Sequence, residues 1–200
     1  MDISFQRDEE TISYQLDSGM PYSFRYNEND ELELYEGSHG REDAPDLAPF
    51  VPTPMAVVEK MLQMANIDKN DVLYDLGCGD GRIVITAAER YGIRGVGIDI
   101  DPQRIKEANA AAKMAGVENL VKFRLQDVMT VDFSEATVLA LYLLEESNEL
   151  LRPLFERYLR PGTYVVSHNY PIPGWEEKEI HFASLMAEDN EEHDIYLYRR

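Results

Sequence analysis

Residues 74–83 read YDLGCGDGRI: three glycines, Gly77, Gly79 and Gly81, at every second position, with Asp75 two residues before the first. Glycines so placed make a tight turn, allow close packing, or let a ligand approach the backbone with no side chain between. The flanks give the context. VLYDL (72–76) is a short apolar run of strand character and RIVITAAERY (82–91) reads as a helix, so the glycines join a strand to a helix. The spacing then limits the ligand. A dinucleotide fingerprint needs glycine at the sixth position counted from Gly77, which here is Arg82, and the Lys-Ser/Thr of a phosphate-cradling loop is absent. Asp75 and Asp80 put carboxylates where a pyrophosphate would sit; they suit a cationic ligand instead.

Downstream, strands and helices continue to alternate. IRGVGID (93–99) reads as a strand, and PQRIKEANAAAKMAG (102–116) as a helix opened by Asp101 with Pro102 and stopped by Gly116. VKFRL (121–125), TVLALYLL (137–144), a helix around ESNELLRPLFERYL (146–159) and TYVVSH (163–168) follow, and KEIHF (178–182) with DIYLYR (194–199) forms a terminal hairpin. Such an order predicts an α/β fold, a doubly wound and mostly parallel sheet covered by helices on both faces. Upstream, PMAVVEKMLQMA (54–65) places Val57, Val58, Met61, Leu62 and Ala65 at helical spacing, with Thr53 as N-cap and Pro54 at the first helical position. Residues 1–48 differ: YSFRY (22–26) and LELYE (32–36) around the turn-rich NEND predict a β-hairpin, TISYQL (11–16) could add a third strand, and EGSHGREDAPDLAP (36–49) is loop chemistry. The chain thus divides into an N-terminal β appendage, 1–48, and a ligand-binding domain, 49–200.

A chain of 200 residues, 44% apolar, holds one domain with a hydrophobic core. No apolar run approaches a membrane span and the acidic start lacks the character of a signal peptide, so a cytoplasmic protein without a membrane span is expected. A lone cysteine, Cys78, excludes an internal disulfide, and the scattered histidines suggest no metal. The net charge is −19, and residues 1–49 carry 13 acidic against 3 basic residues. Such a surface repels phosphate backbones, which argues against a nucleic-acid partner, and it keeps the chain soluble or steers a basic protein or amine toward it.

The acids at the strand ends sharpen the ligand. Asp99 ends the second strand 18 residues beyond Gly81, where a carboxylate accepts from both ribose hydroxyls, each charged hydrogen bond being worth about 1.5–3 kcal/mol. Asp127 follows the third strand, within reach of an adenine amino group. Singly, each is an ordinary strand end or helix cap; three on one edge of one sheet point to a ligand.

DLGCGDG (75–81), GVGIDID (95–101) and LQD (125–127) resemble the successive motifs of class I, seven-β-strand S-adenosylmethionine-dependent methyltransferases. PFVPTP (49–54), ATVLALYLL (136–144), LRPGTYVVSH (159–168) and IPGW (172–175) are similar to one branch, the archaeal broad-specificity protein lysine methyltransferases and the mitochondrial ATP synthase c-subunit lysine methyltransferase. The resemblance implies a Rossmann-like seven-stranded sheet and S-adenosylmethionine as cofactor, leaving S-adenosylhomocysteine. It implies that Asp75, Gly77, Cys78, Gly79, Asp80 and Gly81 surround the methionine part, that Asp99 binds the ribose, and that Ile100, Asp127 and Val128 meet the adenine. It implies further that Phe50, Pro52 and Thr53 close over the cofactor and that Tyr142 with Leu143 borders the transfer site. Phe50 stands where the branch often has Tyr, and Glu145 where it often has Pro; both departures bear on the substrate.

Methyl transfer from a sulfonium is an in-line displacement in which alignment alone can supply about 7–11 kcal/mol. A lysine must first lose its proton, at a cost of about 4.6 kcal/mol at pH 7, so the mouth is expected to be dry and aromatic. Phe50, Tyr142, Tyr170 and Trp175 are the aromatics expected there, with Leu143 beside them. His168 is the one candidate general base, and no dedicated base is expected. The leading expectation is an amine N-methyltransferase acting on protein lysine, as a monomer. A small-molecule methyltransferase, a nicotinamide-dependent oxidoreductase and a non-catalytic cofactor-binding module are the alternatives.

Overall fold

The computed structural model describes residues 47–200 throughout and, before them, four strands at 2–7, 10–15, 22–26 and 32–36. Strands β1 (Asp2–Arg7) and β2 (Glu10–Gln15) pair antiparallel, as do β3 (Tyr22–Tyr26) and β4 (Leu32–Glu36). The strand expected in TISYQL therefore pairs with β1, which was not expected as a strand, and does not extend the β3–β4 hairpin. The NEND turn and most of the loop expected after β4 lie outside the described residues.

Helices and strands then alternate: α1 (Met55–Met64), β5 (Val72–Leu76), α2 (Arg82–Tyr91), β6 (Arg94–Asp99), α3 (Pro102–Ala115), β7 (Val121–Leu125), β8 (Val138–Leu141), α4 (Glu145–Tyr158), β9 (Tyr164–His168), β10 (Glu179–Met186) and β11 (Glu192–Arg199). Seven of the strands form one sheet in the order β10-β11-β9-β8-β5-β6-β7. From β5 to β9 all pairings are parallel, while β11 runs antiparallel to β9 and β10 to β11. This is the Rossmann-like, mostly parallel seven-stranded fold with an antiparallel C-terminal hairpin that the sequence predicted. The chain runs outward from β5 through β6 to β7 and then returns to place β8 on the other side of β5. That reversal opens a crevice beyond the carboxyl end of β5.

The pleat divides the core in two. Leu73, Val138, Ala140 and Val166 face a cluster with Val57, Val58, Met61 and Leu62 of α1 and with α2. Val72, Tyr74, Leu76, Leu139 and Leu141 face the other, with Leu151 and Phe155 of α4. Each such side chain, buried, contributes about 1.5–3 kcal/mol against exposure. Gly95 and Gly97 bring α2 and β7 onto β6: a Cβ on Gly95 would meet Val84 at 2.5 Å, and one on Gly97 would meet Phe123 at 2.6 Å.

Local signals set most helix ends. Asp101 caps α3 by accepting from the Gln103 N–H at 2.8 Å, Pro102 opens it, and Gly116 ends it at φ 71°. The start of α1 departs from expectation. Thr53 is not its cap, because the hydroxyl is taken by His168 at 3.3 Å, and Pro54 precedes the first helical residue. The open N–H groups of Met55 and Ala56 instead donate to the Glu188 carboxylate, at 2.5 and 3.4 Å, from the β10–β11 turn. Strand β8 also stops at Leu141, short of the expected 144, which releases Tyr142 and Leu143 from the sheet.

Candidate active site

A cleft of about 420 Å³ lies at the carboxyl ends of β5, β6 and β8, under the segment 47–53. Phe50, Pro52, Thr53, Asp75, Gly77, Cys78, Gly79, Asp80, Asp99, Ile100, Asp127, Val128, Tyr142 and Leu143 line it. Four residues assigned to the site from sequence do not. Gly81 instead heads α2, where a Cβ would strike Phe123 and Ala108. Trp175 is wholly buried against Phe155 and Tyr198, its Nε1 donating to Glu156 at 3.2 Å, so it belongs to the core rather than to the mouth. Tyr170 is half-buried, its carbonyl accepting from the Ser167 hydroxyl at 2.6 Å. His168 is fully buried behind Tyr142, ring centroids 3.8 Å apart, with both nitrogens engaged.

The glycine loop is shaped as a cradle. Gly77, Gly79 and Gly81 have φ of 80°, 53° and 79°, the left-handed region that costs other residues about 1–2 kcal/mol. A Cβ on Gly79 would lie 2.4 Å from the Phe50 ring, so the segment before α1 closes onto the loop at that point. Arg104 of α3 stacks on the other part of Phe50, its guanidinium carbon 4.0 Å from the ring centroid. Asp99 holds the loop from β6: its Oδ2 accepts from the Gly79 N–H at 2.8 Å and its Oδ1 from the Asp101 N–H at 2.9 Å. Asp127 accepts from the Met129 N–H at 2.8 Å, fixing the turn after β7.

The two acids of the loop have different roles, a correction to their joint reading as cation binders. Asp80 is bound by Arg82, whose Nε lies 2.9 Å from Oδ1; burial disfavours its charge, but the hydrogen bonds and charge of Arg82 outweigh it and hold the carboxyl below its usual range. Arg82, which in the sequence served only to reject a dinucleotide loop, also donates from Nη1 to the Thr53 carbonyl at 2.8 Å and so ties the loop to the segment that covers it. Asp75 is 2% exposed and has no hydrogen-bond partner among the described residues. Burial first, then the charges of Asp99 and Asp80, push its carboxyl up to about 8. A partnerless carboxyl at the tip of the central strand calls for a cation.

The ANTKMT methyltransferase domain model matches residues 75–179, from the first loop acid to the start of β10. The chain belongs to this methyltransferase family. It is 45% identical over 152 residues to the protein-lysine N-methyltransferase of Saccharolobus islandicus (strain REY15A), covering 75% of this chain and 92% of that one. The mouse lysine N-methyltransferase of the ATP synthase c-subunit is 32% identical over 127 residues, and the match spans 64% of this chain but only 51% of that relative. Among solved structures, an RNA methyltransferase from Salinibacter ruber in complex with S-adenosyl-L-homocysteine shares 48% identity with a TM-score of 0.70, covering 74% of this chain and 93% of that one. The family's fold and its crevice are therefore those of this chain. Among the described residues no helix is long and apolar enough to cross a membrane.

Proposed function

We propose that the protein is an S-adenosylmethionine-dependent N-methyltransferase whose acceptor is the side-chain amine of protein lysine. The observation that carries this reading is Asp75, a buried and unpartnered carboxyl facing a glycine-lined cleft. The cofactor fits what is there: Asp75 would meet its cation, the left-handed glycines leave room for it to approach the protein backbone, and a volume of about 420 Å³ lies within the range of about 300–1,000 Å³ typical of such sites. When bound, S-adenosylmethionine supplies an electrophilic methyl group on sulfonium sulfur.

The chain's own residues align and dry the reaction. Asp99, already holding Gly79 in place, would hold the ribose; Ile100, Val128 and Asp127 would line the adenine side, and Phe50 with Pro52 covers the loop. Tyr142 and Leu143, released at the end of β8, border the acceptor. His168 is not a base in contact with substrate. It is walled off by Tyr142, and burial above all, with His193 as its neighbour, pulls its pKa down to about 3, so it stays neutral. Loss of the lysine proton would then be eased by the apolar surfaces of Phe50, Tyr142 and Leu143 and by the positive charge of the cofactor.

The protein-lysine methyltransferase of Saccharolobus islandicus, matched over nearly its whole length, supports a lysine acceptor. The Salinibacter ruber relative is described as an RNA methyltransferase, which supplies a second reading. A net charge of −19 opposes it, because RNA binding draws on basic side chains. Residues 1–48 are a separate appendage that selects the acceptor, and β4 approaches β7 at the outer edge of the sheet. A cytoplasmic location fits the one cysteine, buried and without a disulfide partner. Incubation with methyl-labelled S-adenosylmethionine and separated protein and RNA fractions tests the acceptor. Label on lysine Nζ is the expected result, and label confined to RNA overturns the reading.

A further inference from the structure

A buried chain of hydrogen bonds leads from the cleft to the surface. Thr53 Oγ1 lies 3.3 Å from His168 Nδ1, His168 Nε2 lies 2.9 Å from His193 Nδ1, and His193 Nε2 lies 3.0 Å from Asp189 Oδ2. The four residues come from the segment before α1, the end of β9, the start of β11 and the β10–β11 turn. Thr53, His168 and His193 are buried, and only Asp189 reaches water. The chain passes behind two residues that line the cleft, Thr53 itself and Tyr142, whose ring lies against His168.

The outer end of the chain is an acceptor. An ionised carboxylate only accepts, and the N–H groups of Glu191 and His193 hold the Asp189 carboxyl below its usual range. His193 therefore donates from Nε2, and in the proposed arrangement its Nδ1 accepts. In that arrangement His168 donates to it from Nε2, and its own Nδ1 accepts from Thr53. The Thr53 proton then points away from the cleft, and lone pairs of its oxygen are left for an N–H that enters. The sense matters for an amine. A neutral amine has one lone pair, and a hydroxyl donating into the cleft would occupy the electrons that must attack; an acceptor binds an N–H and leaves that pair free.

We propose that Thr53 receives an N–H of the incoming amine and turns its lone pair toward the methyl donor, and that His168, His193 and Asp189 are positioning residues that fix Thr53 as an acceptor. This rests on the amine N-methyltransferase reading above. The amine is the ligand in question because Asp75 already answers the cofactor's charge, and because the chain backs onto Tyr142 at the end of β8.

The test uses the full chain, methyl-labelled S-adenosylmethionine and a lysine-rich basic protein as acceptor. Thr53→Val is expected to lower kcat about tenfold, the size of one hydrogen bond, with cofactor affinity in calorimetry changed less than about threefold; Thr53→Ser restores the rate. Asp189→Asn, at the surface, is expected to lower kcat by a smaller factor, and the double variant to be no slower than Thr53→Val, because both act through one chain. In nitrogen NMR spectra of the protein without cofactor, His168 and His193 are both expected to carry their proton on Nε2. Multiplicative losses in the double variant, a proton on His168 Nδ1, or a Thr53→Val protein that keeps its kcat would each overturn the inference and leave the function standing. A wild-type protein that labels no amine removes both.

Discussion

At the scale of single residues, Asp75 sets the pH behaviour of the site. Its carboxyl, 3.8 when free, is pushed up to about 8 by burial and then by Asp99 and Asp80. A cation binds the carboxylate, so cofactor binding must displace a proton below that pH. Affinity for S-adenosylmethionine is expected to rise about tenfold per pH unit up to about 8 and then level off, and Asp75→Asn to flatten the profile in calorimetry between pH 6 and 9. The same sign governs the free protein: the folded state holds this proton more tightly than the unfolded chain, so the contribution of Asp75 to stability falls as pH climbs from 3.8 to about 8. Gly79 is the second decisive position. A methyl group there meets Phe50 at 2.4 Å and faces a φ of 53°, so Gly79→Ala is expected to weaken cofactor binding by at least about tenfold, measured by the same titration. Adding Phe50→Ala recovers the part due to contact and not the part due to the backbone. Both residues were legible in YDLGCGDGRI, because a strand-to-helix turn with alternating glycines leaves little choice of backbone. The neutralising of Asp80 by Arg82, only two residues away, was not, since spacing does not say whether a guanidinium points along the chain or outward.

Among the elements, boundaries were legible where the signal is local. Asp101-Pro102 and Gly116 begin and end α3 within the chain's own neighbourhood, and β5, α2 and β7 run as read. The start of α1 was misread because its cap, Glu188, is 133 residues away. Glu188→Ala is expected to lower the melting midpoint by a few degrees, followed by circular dichroism, with Glu188→Gln intermediate, since two N–H groups at a helix N-terminus lose an anionic acceptor. Trp175 shows the matching limit for aromatics. In IPGW nothing separates a ring at a substrate mouth from a ring between α4 and β11, because either place is apolar, and only the packing of Phe155 and Tyr198 decides.

For the whole molecule, charge is the property that acts at a distance. A basic acceptor approaching a protein of net charge −19 is drawn in over about a Debye length, about 10 Å at 0.1 M salt. The KM for a lysine-rich protein is therefore expected to climb as salt is raised from 0.05 to about 0.5 M, in a filter-binding assay of transferred label, while kcat changes little. The mostly parallel sheet and the crevice at β5 were legible from the alternation of elements, which admits few layered arrangements. The pairing of β1 with β2 was not, for short amphipathic strands carry no mark of their partner. The buried acid at the centre of this negative molecule also bears on turnover. Once the methyl group has gone the sulfur is neutral, and Asp75 faces a ligand with one positive charge fewer. The site is therefore expected to hold its reactant more firmly than its spent form, which would speed renewal of the cofactor; Asp75→Asn should shrink the difference between S-adenosylmethionine and S-adenosylhomocysteine affinities and make product inhibition the brake on the cycle.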